Sequence, residues 1–259
     1  MRSIGAGFIL ILSLYCLILI PPACAAGSKS EVTVLRWLDD PKSPSSGKRS
    51  TNVHLLMPKP HDDSEKFALL LLLHGSGQNG ADMIELWEDA AQKKRLIVLA
   101  PGIEGIPFKN ERGNLWPFIN MVNEVSRNYP VAPGKIYVAG VSSGNVFIPW
   151  LMLMKPGLFE AAAMISSEPF SNWQSELDVC KLSPIFFVHG KKDEQFSYKL
   201  LRNRVKILQK RGVFAEWLTD DEAGHGVLPE WPALISEWFL KEKPAPMACF
   251  AEEIKKSHS

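Results

Sequence analysis

The stretch Lys135-Ile136-Tyr137-Val138-Ala139-Gly140-Val141-Ser142-Ser143-Gly144 decides the fold. Residues 135–139 alternate and cluster apolar side chains as a short buried strand does. The pentapeptide Gly140–Gly144 then matches G-x-S-x-G, and the residues after it, with Phe147, Ile148, Trp150 and Leu151, carry helical spacing to about residue 154. So short a pattern occurs by chance on many tight turns; its context carries the meaning here. A serine between a buried strand and a helix sits on a sharp, strained turn with its hydroxyl held clear. Glycines flank it because a side chain there would collide with neighbouring backbone. The N-terminus of the following helix favours negative charge developing above it.

Upstream, Phe67-Ala-Leu-Leu-Leu-Leu-Leu73 is a continuous apolar run with the length of a strand buried on both faces. A helix is expected over 81–94, a strand over 96–100, an irregular loop over 103–114 and a helix to about 129. Downstream, strands are expected at 161–165, 184–188 and 213–218, and helices at 197–211, closed by Gly212, and at 229–240. This alternation predicts an α/β domain with a mostly parallel sheet and helices on both faces. Strands at 32–38 and 52–57 are joined without a helix, so they form an antiparallel N-terminal edge. No internal repeat is visible.

A serine hydroxyl needs a base to remove its proton, and the base needs a third group to orient it. On a strand–turn–helix scaffold of this kind the order along the chain is serine, acid, histidine. Of the histidines after Ser142, His225 lies in Ala223-Gly224-His225-Gly226, between the last strand and last helix, where the base belongs. His189 ends a strand and is expected to face backbone; His258 lies in the polar tail. Asp193, a few residues past the strand ending near His189, is the preferred acid, with Glu194, Asp220, Asp221 and Glu222 as rivals. Its alternative role is an ordinary helix cap. Oxyanion donors are expected from the backbone N–H of Ser143 and from His74-Gly75-Ser76-Gly77, with Ser76 preferred over Gly77. His74 is expected to organise that loop. Trp116 and Phe118 are candidates for a substrate pocket and Phe170 and Trp173 for a lid, with packing as the alternative for each.

These pieces, in this order, resemble the α/β-hydrolase superfamily over almost the whole chain after its N-terminal segment. Leu73-His-Gly-Ser-Gly-Gln-Asn-Gly80, Leu99-Ala-Pro101 and Gly140-Val-Ser-Ser-Gly144 look like the secreted esterases grouped with polyhydroxybutyrate depolymerases and feruloyl esterases. The resemblance implies Ser142, Asp193 and His225 as a triad, Ser76 and Ser143 as oxyanion donors, an ester substrate and no cofactor. The chain departs from that group at Asn145, where many members have a small residue, and in having no recognisable separate domain for an insoluble polymer. A serine peptidase or acyltransferase on the same fold would share the triad; a non-catalytic binding protein would be expected to have lost one of its members. No H-E-x-x-H or similar cluster suggests a metal.

Lys plus Arg number 29 and Asp plus Glu 28, a balance that argues against a nucleic-acid surface. Nothing in the sequence specifies an oligomeric state. Arg2, the apolar run 8–20 and the small residues Ala23-Cys24-Ala25-Ala26 have the layout of a secretory signal over residues 1–26. The run is shorter than the roughly 20 residues that span a bilayer, so no stable membrane insertion is expected after cleavage. Export to a periplasmic or extracellular space follows, with a lipid anchor on Cys24 as the lesser alternative. The catalytic domain is expected over 27–242 and a surface tail over 243–259. Cys180 and Cys249 would then be available to pair in an oxidising compartment. Intact mass of the exported protein should show cleavage near Ala25 or Ala26; a retained Met1 segment, or a diacylglyceryl group on Cys24, would refute this.

Overall fold

The computed structural model describes residues 31–38, 50–60, 62, 64–103, 115–167 and 178–243. The N-terminal segment, the 104–114 loop, Phe170, Trp173, Cys249 and the tail beyond Lys243 lie outside these residues, so the signal, lid and Cys180–Cys249 expectations fall on chain that is not described.

Eight strands form one sheet: β1 (Glu31–Leu38), β2 (Ser50–Met57), β3 (Phe67–Leu73), β4 (Leu96–Pro101), β5 (Val131–Val141), β6 (Ala161–Ile165), β7 (Ile185–Gly190) and β8 (Ala215–Asp220). Their spatial order is β1-β2-β4-β3-β5-β6-β7-β8. β1 pairs antiparallel with β2, and β2 antiparallel with β4; every later pairing is parallel. The mostly parallel sheet with an antiparallel N-terminal edge is therefore present, and it is the α/β-hydrolase architecture.

The period of two along β3 sorts the core. Leu69, Leu71 and Leu73 face helices α2 (Trp116–Asn128), α3 (Ile148–Met154) and α4 (Tyr198–Lys210), while Leu70 and Leu72 face α1 (Gly80–Lys94) and α5 (Trp231–Leu240). Both faces of β3 are buried along its whole length, which is why its sequence shows no polar alternation. Each leucine so enclosed contributes roughly 1.5–3 kcal/mol relative to an exposed one.

The element after Ser142 differs in kind from its sequence expectation. The helix after Ser142 begins as a 3-10 turn, Ser142–Phe147, and becomes α-helical only from Ile148. Pro149 explains it. Lacking an N–H, it cannot bond to the carbonyl of Asn145 four residues earlier, and its ring would clash there, so an α-helix can hold it only in its first turn.

The parallel strands bring their carboxyl ends to one edge of the sheet. Leu73 is paired with Gly140, Val141 with Ile165, Ile165 with Val188, and Gly190 with Asp220. The segments leaving those ends carry Ser76, Ser142, Asp193 and His225, so four distant pieces of sequence converge on one rim.

Candidate active site

Ser142 follows β5 without a spacer and has φ +49°. For a residue with a side chain that left-handed backbone costs about 1–2 kcal/mol, and the surroundings hold it there. A Cβ on Gly144 would meet the carbonyl oxygens of Leu73 at 2.5 Å and His74 at 2.6 Å. Only glycine lets the turn pack so tightly on the end of β3.

The Ser142 Oγ lies 3.0 Å from His225 Nε2, and His225 Nδ1 lies 2.9 Å from Asp193 Oδ2. With Asp193 ionised, Nδ1 carries the proton and donates to the carboxylate, leaving the Nε2 lone pair facing the serine hydroxyl. The Asp193 side chain is fully enclosed, while His225 remains one-fifth exposed. Burial pushes the Asp193 carboxyl up, but the N–H of Phe196, the His225 ring and the N–H of Gln195 together outweigh it and hold the group below its ordinary value. Oδ1 accepts both amides, from Gln195 at 2.8 Å and Phe196 at 2.9 Å. Each carboxylate oxygen thus has its own partners.

The rival acids have other work. Asp220 Oδ1 accepts the N–H groups of Glu222 and Ala223. Asp221 pairs with Lys191 at 2.7 Å, and Glu222 pairs with Lys192. Glu194 is exposed. These contacts, with the backbone bonds from Lys191 N–H to Asp220 O and Lys192 N–H to Ala223 O, stitch the Asp193 turn to the His225 loop. Gly190 permits it, since a Cβ there would collide with the carbonyl oxygens of Ala223 and Gly224. His189 is buried and donates Nε2–H to the Phe196 carbonyl at 2.9 Å, bracing the same turn.

At the end of β3, the Ile103 N–H donates to His74 Nε2 at 2.9 Å, so Nδ1 must bear the hydrogen and donate to Gly75 O at 2.8 Å. His74 fastens this loop to the segment after β4. Gly75 N–H bonds to Gln78 Oε1 and Gln78 N–H to Gly75 O, an arrangement that uses neither the Ser76 nor the Gly77 amide. Ser76 Oγ donates to Ser143 Oγ at 3.0 Å, which sets the two preferred oxyanion donors side by side. Ser143, second in the 3-10 turn, has an N–H with no acceptor inside that turn.

Ser76, Ser142, Ser143 and His225 open into a cleft of about 920 Å³, walled by Asp82, Glu85 and Leu86 of α1 and by Val146, Phe196, Val227 and Pro229. Gly77 and the expected pocket residues Trp116 and Phe118 are not on its walls. Phe118 is fully buried in the core, with its ring 5.7 Å from that of Phe147, and Trp116 is 53% exposed. The helix starting at Trp116 turns its apolar stripe to the sheet, which takes Phe118 inward and Trp116 outward. Phe118 thus takes the packing alternative, and Trp116 stands at the surface away from this cleft. Among the described residues no cluster of three or more His, Cys, Asp or Glu is placed to hold a metal ion, and no helix is long and apolar enough to cross a membrane.

Sequence reasoning passed over Ser166, which sits on the same rim directly after β6. Its only signal was position: a polar residue ending an otherwise apolar strand at the edge where the other groups emerge.

No known family profile matches the chain. A curated relative, a poly(3-hydroxybutyrate) depolymerase from Ralstonia pickettii, is 26% identical over 133 residues, covering 43% of this chain and 27% of the depolymerase. The chain thus matches little more than a quarter of that relative's length. Among solved structures, the fluorophosphonate-binding serine hydrolase F of Staphylococcus aureus is 14% identical, with TM-score 0.64 over 83% of this chain and 100% of the other. The S-formylglutathione hydrolase of Staphylococcus aureus is 15% identical, with TM-score 0.65 over 84% and 100%. A thermostable esterase is 19% identical, with TM-score 0.60 over 80% and 62%. At such identities the likeness speaks for the fold.

A carboxyl held below its ordinary value stabilises the protein above the unfolded pKa, about 3.9 for aspartate, and that contribution is lost as pH falls through the lower folded value. Asp193→Asn should therefore melt below the wild type at pH 7, and the gap should narrow as pH falls below about 4. Thermal unfolding across pH measures it; a gap independent of pH would contradict this account of Asp193.

Proposed function

We propose that this chain, an α/β-hydrolase by fold, cleaves carboxylic esters through an acyl-enzyme formed on Ser142. The observation that carries the reading is the hydrogen-bonded line Ser142–His225–Asp193, 3.0 and 2.9 Å long, ending at an open cleft. Fold likeness to esterases and serine hydrolases and the local match to a depolymerase agree with it.

In this reading Ser142 Oγ attacks the ester carbonyl as its proton passes to His225 Nε2. The carbonyl oxygen becomes an oxyanion and takes the N–H groups of Ser143 and of Ser76, with Gly77 the second choice; such donors are usually the largest electrostatic contribution to acyl transfer. Asp193 keeps the imidazole in the needed tautomer and stabilises the imidazolium. The C–O bond to the alcohol then breaks, and Nε2–H protonates the departing alkoxide. Water, deprotonated by the same nitrogen, attacks the acyl-enzyme; the carboxylic acid leaves and Ser142 regains its proton. The cleft mixes Leu86, Val146, Phe196 and Val227 with polar rim residues, which suits small or oligomeric esters. Export, directed by residues 1–26, belongs to the same proposal.

A fluorophosphonate should modify the wild-type protein at Ser142 and abolish ester turnover, and Ser142→Ala should escape modification. Labelling of another serine with Ser142 untouched would overturn the assignment. Asp193→Asn presents an amide where the imidazole needs an acceptor, so kcat should fall by up to about 10⁴-fold when measured below the variant's melting temperature. Glu194→Gln and Asp221→Asn should change it far less; a near-dead Glu194→Gln beside a competent Asp193→Asn would transfer the role.

A further inference from the structure

Ser166 is fully buried and has φ +49°, the same left-handed backbone as Ser142. Its own N–H is anchored to Val188 O of β7 at 2.9 Å. Its hydroxyl donates to the Gly226 carbonyl and accepts the Gly226 N–H at 3.3 Å. One oxygen atom therefore engages both polar groups of the residue that follows His225. Gly226 itself has φ +142°, which a side chain would rarely tolerate.

One residue earlier, the Ile165 carbonyl accepts from Nδ2 of Asn145 at 2.8 Å. Asn145 is fully buried in the 3-10 turn that begins with Ser142. Two consecutive residues at the end of β6 thus grip the turn that carries the serine and the loop that carries the histidine. On its other flank the His225 loop is fixed through Ala223, whose N–H bonds to Asp220 and whose carbonyl bonds to Lys192 N–H. Ser166 supplies the matching restraint after His225. Without it, the Gly226 peptide would lose both hydrogen bonds that it makes to Ser166.

We propose that Ser166 is a positioning residue whose buried hydroxyl sets the His225 loop at the height where Nε2 meets Ser142 Oγ, with Asn145 setting the serine turn from the same strand end. The inference rests on the roles given above to Ser142 and His225. An occupant of this position needs two properties: tolerance of positive φ and a hydroxyl. Glycine has the first and lacks the second, so it separates backbone strain from hydrogen bonding.

The test compares wild type, Ser166→Gly and Ser166→Ala. It measures steady-state turnover of a short p-nitrophenyl ester, the second-order rate of fluorophosphonate labelling, and the low-field Nδ1–H proton resonance of His225. Since a misplacement of about 1 Å can cost 10²-fold, kcat and the labelling rate of Ser166→Gly should both fall roughly 10- to 100-fold, with KM within about twofold of wild type, because losing alignment that matters only in the transition state lowers kcat and kcat/KM together. The His225 resonance should shift or broaden, a change that destabilisation elsewhere in the core would not produce in protein still folded at the assay temperature. Ser166→Ala should match the glycine variant in kcat and melt lower. A Ser166→Gly protein that labels and turns over at the wild-type rate overturns the positioning role and leaves the Ser142 reading intact. A wild-type protein that fluorophosphonate leaves unmodified overturns both.

Discussion

The hydrogen-bonded register of the parallel strands is the constraint on which the rest depends. Because β3, β5, β6, β7 and β8 run the same way, their carboxyl ends lie on one edge, and every segment leaving that edge starts within reach of its neighbours. A one-residue slip in any pairing would turn that strand's side chains to the opposite face and move its departing loop by a residue's rise. Two points of near-contact between backbones sharpen the constraint: Gly144 against the end of β3, and Gly190 against the loop after β8. Neither site has space for a methyl group.

Around that rim the protein accepts unfavourable local choices. Ser142 and Ser166 both take left-handed backbone, and Asp193 is a buried carboxylate. Each is held by surroundings that leave it few alternatives: the β3 carbonyls over Gly144, the Gly226 peptide over Ser166, and three donors around the Asp193 oxygens. Strain of this sort persists only where neighbouring structure over-determines it, and it gathers at functional sites. The charges near His225 follow the same logic. Lys191 and Lys192 take the outer carboxylates Asp221 and Glu222, which leaves the buried Asp193 as the group facing the imidazole.

The sequence by itself determined the main elements, the fold class and a short set of candidate site residues. β3 was legible to the residue because a strand buried on both faces must be apolar throughout, and the Ser142 turn because its glycines answer a steric need that only a strand–turn–helix creates. His225 was legible as a polar residue in a Gly-flanked loop between the last strand and helix. Asp193 was preferred among five carboxylates for its place just past the end of β7, but position along the chain does not tell which carboxylate turns inward. The tertiary structure turns Asp193 toward His225, through the Gln195 and Phe196 N–H groups, while Lys191 and Lys192 draw Asp221 and Glu222 outward and Asp220 is taken up by backbone amides. It also decided that β4 lies between β2 and β3, that Phe118 belongs to the core rather than the cleft, and that Ser166 reaches across sixty positions to Gly226. These are pairings between residues far apart in the chain. Local pattern records what each segment buries; it does not record which partner the folded sheet brings to it.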